Sequence, residues 1–228
     1  MQASTQAYLA RDFLAQDQLA AAAGIPEPDL SELVDRGLMP SPSYRVEGDT
    51  LVSAAFGAIP CAGLMSGHYF HGEMIQWLRL ALDTVAAHDA AEAQASLRSQ
   101  FQRQAATEIA LLHRDGLRLA ECFDDSGAAL DGLRQRLDDH WQAHMAGIFG
   151  VCVRHPGSVA AIVLKETLQT VISRSSDDGK HLPSEPKARM ALRSLIERYA
   201  EACAPFAPVE YPLSSRRRYL EDVLPPLR

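Results

Sequence analysis

Residues 24–57 read GIPEPDLSELVDRGLMPSPSYRVEGDTLVSAAFG, and this stretch decides the N-terminal fold. Gly24 is a helix terminator. PEPDLSELVDRG then places prolines at a helix N-terminus and a glycine, Gly37, at its end. Leu30, Leu33 and Val34 give that helix an apolar stripe. In YRVEGDTLV, β-forming residues flank an acidic turn containing Gly48, the pattern of a hairpin. Upstream, Tyr8 to Ala23 reads as helical. Leu9, Phe13 and Leu14 share a face, and Asp17 is a candidate cap for a second helix carrying Leu19 and Ala23. The order is therefore helix, turn, helix, hairpin.

Beyond Gly72 the character changes. Residues 72–123 hold few helix breakers and predict two or three long helices, the first ending near His88. ALDGLRQRLDDHWQAHMAGIFGVCV predicts another, running toward Gly147 or beyond. Ser158 is placed to cap SVAAIVLKETLQTVISR, and KARMALRSLIERYAEACAPF follows a polar loop. The tail is bounded by prolines and closes on a short helix. The expected fold class is mainly α. A winged-helix-like module with one small β-hairpin, residues 1–57, packs on an α-helical body, residues 58–228. The wide apolar faces of the body leave a homodimer open.

Composition narrows the function. The chain has 228 residues and a formal net charge of -7, against the basic face of most nucleic-acid binders. Its four cysteines, Cys61, Cys122, Cys152 and Cys203, form no CxxC pair, which argues against a zinc ribbon or a dithiol redox site. The first residues lack a basic region followed by an apolar core, and no apolar run approaches the roughly 20 residues of a membrane span. The expected location is the cytoplasm, without membrane association.

The N-terminal spacing resembles the winged helix of MerR-type regulators, in which the second helix enters the major groove and the wing touches phosphates. Its second helix carries Glu27, Asp29, Glu32 and Asp35 on or beside the face that would meet phosphate, with Arg36 alone against them. Those carboxylates would repel the backbone, so nucleic acid is not the expected partner. A MerR-like, ligand-responsive DNA-binding regulator remains the alternative reading.

The densest cluster of chemically capable side chains follows the hairpin: Tyr44, Arg45, His68, Tyr69, Phe70, His71, Glu73 and Trp77. Glu73 falls at the start of a predicted helix, where the dipole favours its charged form and burial among aromatics would favour the neutral one. A carboxyl group so balanced suits general acid/base work. The pattern SYRV, FG, YF, E and WL, followed by HW, GIFGVCV and LKE, resembles a bacterial natural-product biosynthesis family related to the β-carboline-forming Pictet–Spengler cyclases. The resemblance implies an enzyme that condenses a tryptophan-like amine with an aldehyde and closes the new ring. It implies Glu73 as the acid/base and Arg45 as the clamp on a substrate carboxylate. Either His68 or His71 would assist, and Tyr44, Tyr69, Phe70 and Trp77 would face substrate. Such chemistry needs no metal and no organic cofactor.

Elsewhere, His140 and His144 share a helix face, but HWQAH lacks the internal Glu of a zincin motif and no third ligand is fixed, so no metal is expected. Cys152 reads as an inert buried thiol and Lys165, one of three lysines, as an ordinary exposed or paired side chain. SSRRRY, residues 214–219, reads as a solvated basic run.

Overall fold

The computed structural model describes residues 4–227. Helix α1 (Thr5–Asp12) starts at Ser4, whose hydroxyl accepts from the Ala7 N–H at 3.2 Å. The stretch read as helical from Tyr8 to Ala23 contains a strand: Phe13–Ala15 form β1 before the second helix, α2 (Gln16–Ala23), begins. The Gln18 side chain accepts from the Ala15 N–H at 3.0 Å and restarts the helix there. Gly24 ends α2 in the left-handed conformation (φ 74°), as its position predicts. Helix α3 (Glu27–Asp35) follows and buries Leu30 and Leu33. The hairpin is present as β2 (Tyr44–Glu47) and β3 (Thr50–Ser53), with Gly48 at φ 57° in the turn.

The sheet is larger than the hairpin. β4 (Gly57–Pro60) pairs with β3, and β5 (Gly67–His71) inserts between β1 and β2, giving the antiparallel order β1-β5-β2-β3-β4. The expected division at residue 57 thus falls inside the sheet.

The rest is helical: α4 (Met74–Ala87), α5 (Ala90–Arg114), α6 (Asp131–Met145), α7 (Ile148–Cys152), α8 (Val159–Ser176) and α9 (Pro186–Ala202). Asp89 caps α5 and Ser158 caps α8. Leu97, Phe101, Ala105 and Ile109 recur every four residues on α5 and are buried, the periodicity of a core-facing helix. The short helix α10 (Ser215–Arg217) runs on as a π-helical turn, Arg218–Val223. A mainly α chain with one small antiparallel sheet is the observed class. Among the described residues no helix is long and apolar enough to cross a membrane.

Sheet and helices interlock through buried polar contacts. Ser43 Oγ donates to the Gly147 carbonyl at 3.0 Å, Trp77 Nε1 donates to the Leu38 carbonyl at 2.9 Å, and Tyr44 donates its hydroxyl hydrogen to Glu210 at 2.6 Å.

Candidate functional site

Strand β5 sorts the expected site residues. Successive side chains on a strand point to opposite faces. His68 lies opposite Arg45 in the β2–β5 register, and these two share a face with Phe70. They line a cleft of about 480 Å³ against α2 and α3, with Gln16, Ser31 and Asp35. His68 Nδ1 is 2.8 Å from Gln16 Oε1. Tyr69 and His71 take the opposite face, on the side of Tyr44 and Phe13.

Glu73 follows β5 and belongs to that second side. It lines a separate cleft of about 660 Å³ with Tyr8, Arg11, His71, Arg154 and His155. The two clefts share no lining residue. The single pocket expected to unite Arg45 with Glu73 does not form, because β5 alternates between His68, which pairs opposite Arg45, and His71, which sits beside Glu73. Of the two candidate histidines, His71 is the one beside Glu73, and its Nδ1 accepts from the Glu73 N–H at 3.2 Å. Burial pushes the His71 pKa down, partly offset by Glu73 and Asp12. His71 is therefore neutral near pH 7, with its proton on Nε2.

The aromatic residues also part company. Trp77 is in the core, its ring centroid 4.5 Å from that of His144. Tyr69 is buried and donates to the Met65 carbonyl at 2.8 Å. Tyr44 is fully buried. Phe70 is buried at the other cleft. The expected aromatic box around Glu73 is absent from this arrangement. None of Tyr44, Tyr69, Phe70 and Trp77 lines the Glu73 cleft, whereas Tyr8, outside the expected cluster, does.

What Glu73 meets instead is a loop 82 residues away. His155 Nδ1 is 2.8 Å from Glu73 Oε1, and the Gly157 N–H donates to Oε2 at 3.1 Å. Both oxygens are thus oriented, next to the N-terminus of α8. The Glu73 side chain keeps 31% of its exposure and His155 62%, so both are open to the cleft. A carboxylate on Nδ1 fixes the imidazole and leaves Nε2 to reach a reactant. Gly157 lets the backbone come close: a Cβ there would sit 3.1 Å from the Glu73 Cβ, a tight contact. Arg154, at the cleft edge, donates to the carbonyls of Ala200 and Glu201 and has no carboxylate partner among the described residues. Arg11 is already neutralised by Asp12, with contacts of 2.9 and 2.6 Å.

His155, Gly157 and Arg154 escaped the sequence reading. Their signal was a histidine in a Pro-Gly loop just before a helix-capping serine.

A third region contains Lys165, which is 3% exposed and 2.7 Å from Glu166, paired as expected but deeply buried. Burial pushes the Cys152 thiol up to about 12, the behaviour of an inert thiol. His140 and His144 are both buried on α6, and among the described residues no group of three His, Cys, Asp or Glu side chains is placed to hold a metal ion.

The profile of the family DUF6058, a family of unknown function, matches residues 97–227, more than half of the chain. The chain belongs to that family. No curated protein and no solved structure matches it. The DUF6058 segment supplies Arg154, His155 and Gly157, whereas Glu73, His71, Arg11 and Tyr8 come from the preceding residues. The Glu73 cleft is a seam between the two.

Proposed function

We propose that this DUF6058 protein is a natural-product biosynthesis enzyme whose acid/base centre is the Glu73–His155 pair. The reaction is a Pictet–Spengler-type condensation of a tryptophan-like amine with an aldehyde, giving a β-carboline skeleton. The contact that carries the reading is the 2.8 Å approach of His155 Nδ1 to Glu73 in an open cleft of small-molecule size. Amine and aldehyde lose water to form an imine. The imine is protonated, the indole carbon attacks it, and the ring carbon gives up its proton. The oriented carboxylate and imidazole deliver the first proton and remove the last. Arg154 takes over the clamping role that the resemblance assigns to Arg45, because it lines the same cleft and pairs with no carboxylate among the described residues. The resemblance of the sequence motifs to the cyclases supplies the reaction class, and the cleft supplies the residues.

The test is incubation of the purified protein with tryptophan and a panel of aldehydes, following tetrahydro-β-carboline or β-carboline by mass. Glu73→Gln and His155→Ala each lower the rate on the order of a hundredfold or more. Arg154→Ala raises KM, while Arg45→Ala leaves turnover unchanged. Full activity of Glu73→Gln with an intact fold would overturn the assignment.

The order strand, helix, helix, hairpin over residues 13–53 supports reading that part as a winged-helix module. Its chemistry disfavours a regulator. Glu27, Asp29, Glu32 and Asp35 are all exposed on α3, and Glu47 and Asp49 are exposed at the hairpin tip. Salt-dependent, sequence-selective binding to promoter DNA would reverse that preference.

A further inference from the structure

A cavity of about 420 Å³ lies between α6, α7, α8 and the C-terminal segment, apart from both clefts described above. One wall is aromatic, made by Phe56, Phe149 and Phe206. Phe206 holds a left-handed backbone conformation, φ 62°, which a phenylalanine rarely adopts. Strain of this kind persists only where surrounding contacts hold it, and it concentrates at ligand sites. The Phe206 ring is 5.8 Å from that of Phe56, so the strained residue helps to build the wall.

The opposite wall is polar and incompletely partnered. Lys165 is buried, and Glu166 Oε1 holds it at 2.7 Å, so this pair neutralises itself. His140 is 5% exposed and its Nδ1 has no hydrogen-bond partner. Burial pushes His140 down to about 4, so the ring is neutral and one of its nitrogens is an acceptor. Gln169 Oε1 is also buried without a partner. Buried polar atoms are nearly always hydrogen-bonded, so two without a partner, on residues that line one cavity, call for an account. Gln169 Oε1 accepts hydrogen bonds, and His140 Nδ1 accepts or donates according to its tautomer. An adjoining cleft shares Glu166, Gln169, Ser215 and Arg218 with the cavity.

We infer that this cavity is a second binding site, for a neutral aromatic molecule bearing an O–H donor, the phenol class. The ring lies against the three phenylalanines, and the hydroxyl donates to Gln169 Oε1. A site built to meet a hydroxyl rejects the analogue that lacks it, because its own buried groups are then left unpaired. Every lining residue except Phe56 falls within the DUF6058 segment. The site is independent of the Glu73 cleft.

The experiment is calorimetric titration of the full chain with p-cresol and, separately, with 4-methylanisole, which has the same ring but no donor. Expected is saturable one-to-one binding of p-cresol and binding of 4-methylanisole weaker by tenfold or more. Gln169→Leu lowers p-cresol affinity to the level of 4-methylanisole, Gln169→Glu keeps an acceptor and retains selectivity, and Glu73→Gln changes neither titration. Circular dichroism verifies the fold of each variant. Absence of p-cresol binding, equal affinity for the two probes, or unchanged p-cresol affinity in Gln169→Leu would each overturn the inference. If Gln169→Leu fails to fold, the two-probe comparison on the native chain decides it.

Discussion

Replacing Glu210 with glutamine changes how the stability of the whole molecule depends on pH. Glu210 is fully buried, its Oε2 accepts from the Tyr44 hydroxyl at 2.6 Å, and its Oε1 finds no well-aligned donor. Burial raises its pKa above the ordinary 4.5, and the nearby Ser53 and Tyr44 hydroxyls only partly offset that. Above pH 4.5 the unfolded chain releases this proton while the native state keeps it. The native state then binds more protons, so stability falls as pH rises, until the native carboxyl itself ionises. Each pH unit spent in that window removes about 1.4 kcal/mol. For a domain of this size 1 kcal/mol moves the midpoint by roughly 2–4 °C, so the cost is about 3–6 °C per pH unit. Glutamine has the same shape, accepts from Tyr44 and has no proton to lose. Thermal melts of native protein and Glu210→Gln between pH 4 and 8 are the assay. Expected is a variant that gains on the native protein as pH rises above 4.5. A difference between the two that stays constant across the range would refute the reasoning.

At the acid end the sign reverses. Burial pushes His140 down to about 4 and His144 to about 3, so the unfolded chain binds more protons than the native one below pH 6.5 and stability is lost as pH falls toward those values. His144→Leu flattens that acid limb in denaturant titrations from pH 7 to pH 4. Gly150→Ala drives a methyl group into Ser43 Oγ, costing on the order of 1–3 kcal/mol, and Ser43→Ala in the same chain recovers part of it, as a double-mutant cycle in urea measures. Trp77→Phe gives up the hydrogen bond to the Leu38 carbonyl and loses about 1 kcal/mol of stability in the same titration, while product formation stays unchanged, because the indole lies in the core.

The helices were legible because their signals are local. Gly24 ends α2, His88 closes α4 and Ser158 caps α8 where the sequence places them. Three strands were not. Phe13–Ala15 continue a helical apolar pattern, and only pairing with β5 makes them extended. Gly57–Pro60 and Gly67–His71 are short and bounded by glycine, so their composition reads as loop. That omission decided the site. Once 67–71 is a strand in register with β2, His68 and His71 must face opposite sides, and Arg45 goes with His68. The position of Glu73 at the head of a helix was readable, but its partners lie 82 and 84 residues on, and no spacing rule reaches them.

The seam also explains why the sheet and the DUF6058 helices need one another. Tyr44 on β2 reaches Glu210 in the C-terminal segment, and the Tyr8 hydroxyl lies 3.4 Å from that of Tyr44. Tyr8 in turn lines the Glu73 cleft. A buried carboxyl group is therefore tied by two phenols to the floor of the cleft in which Glu73 meets His155. Removing the sheet would expose Glu210 to water, free it to ionise and leave His155 without its carboxylate. Removing the helices would strip Glu73 of both its partners. Whatever passes through this cleft, its polar frame exists only when residues on both sides of position 97 are folded together.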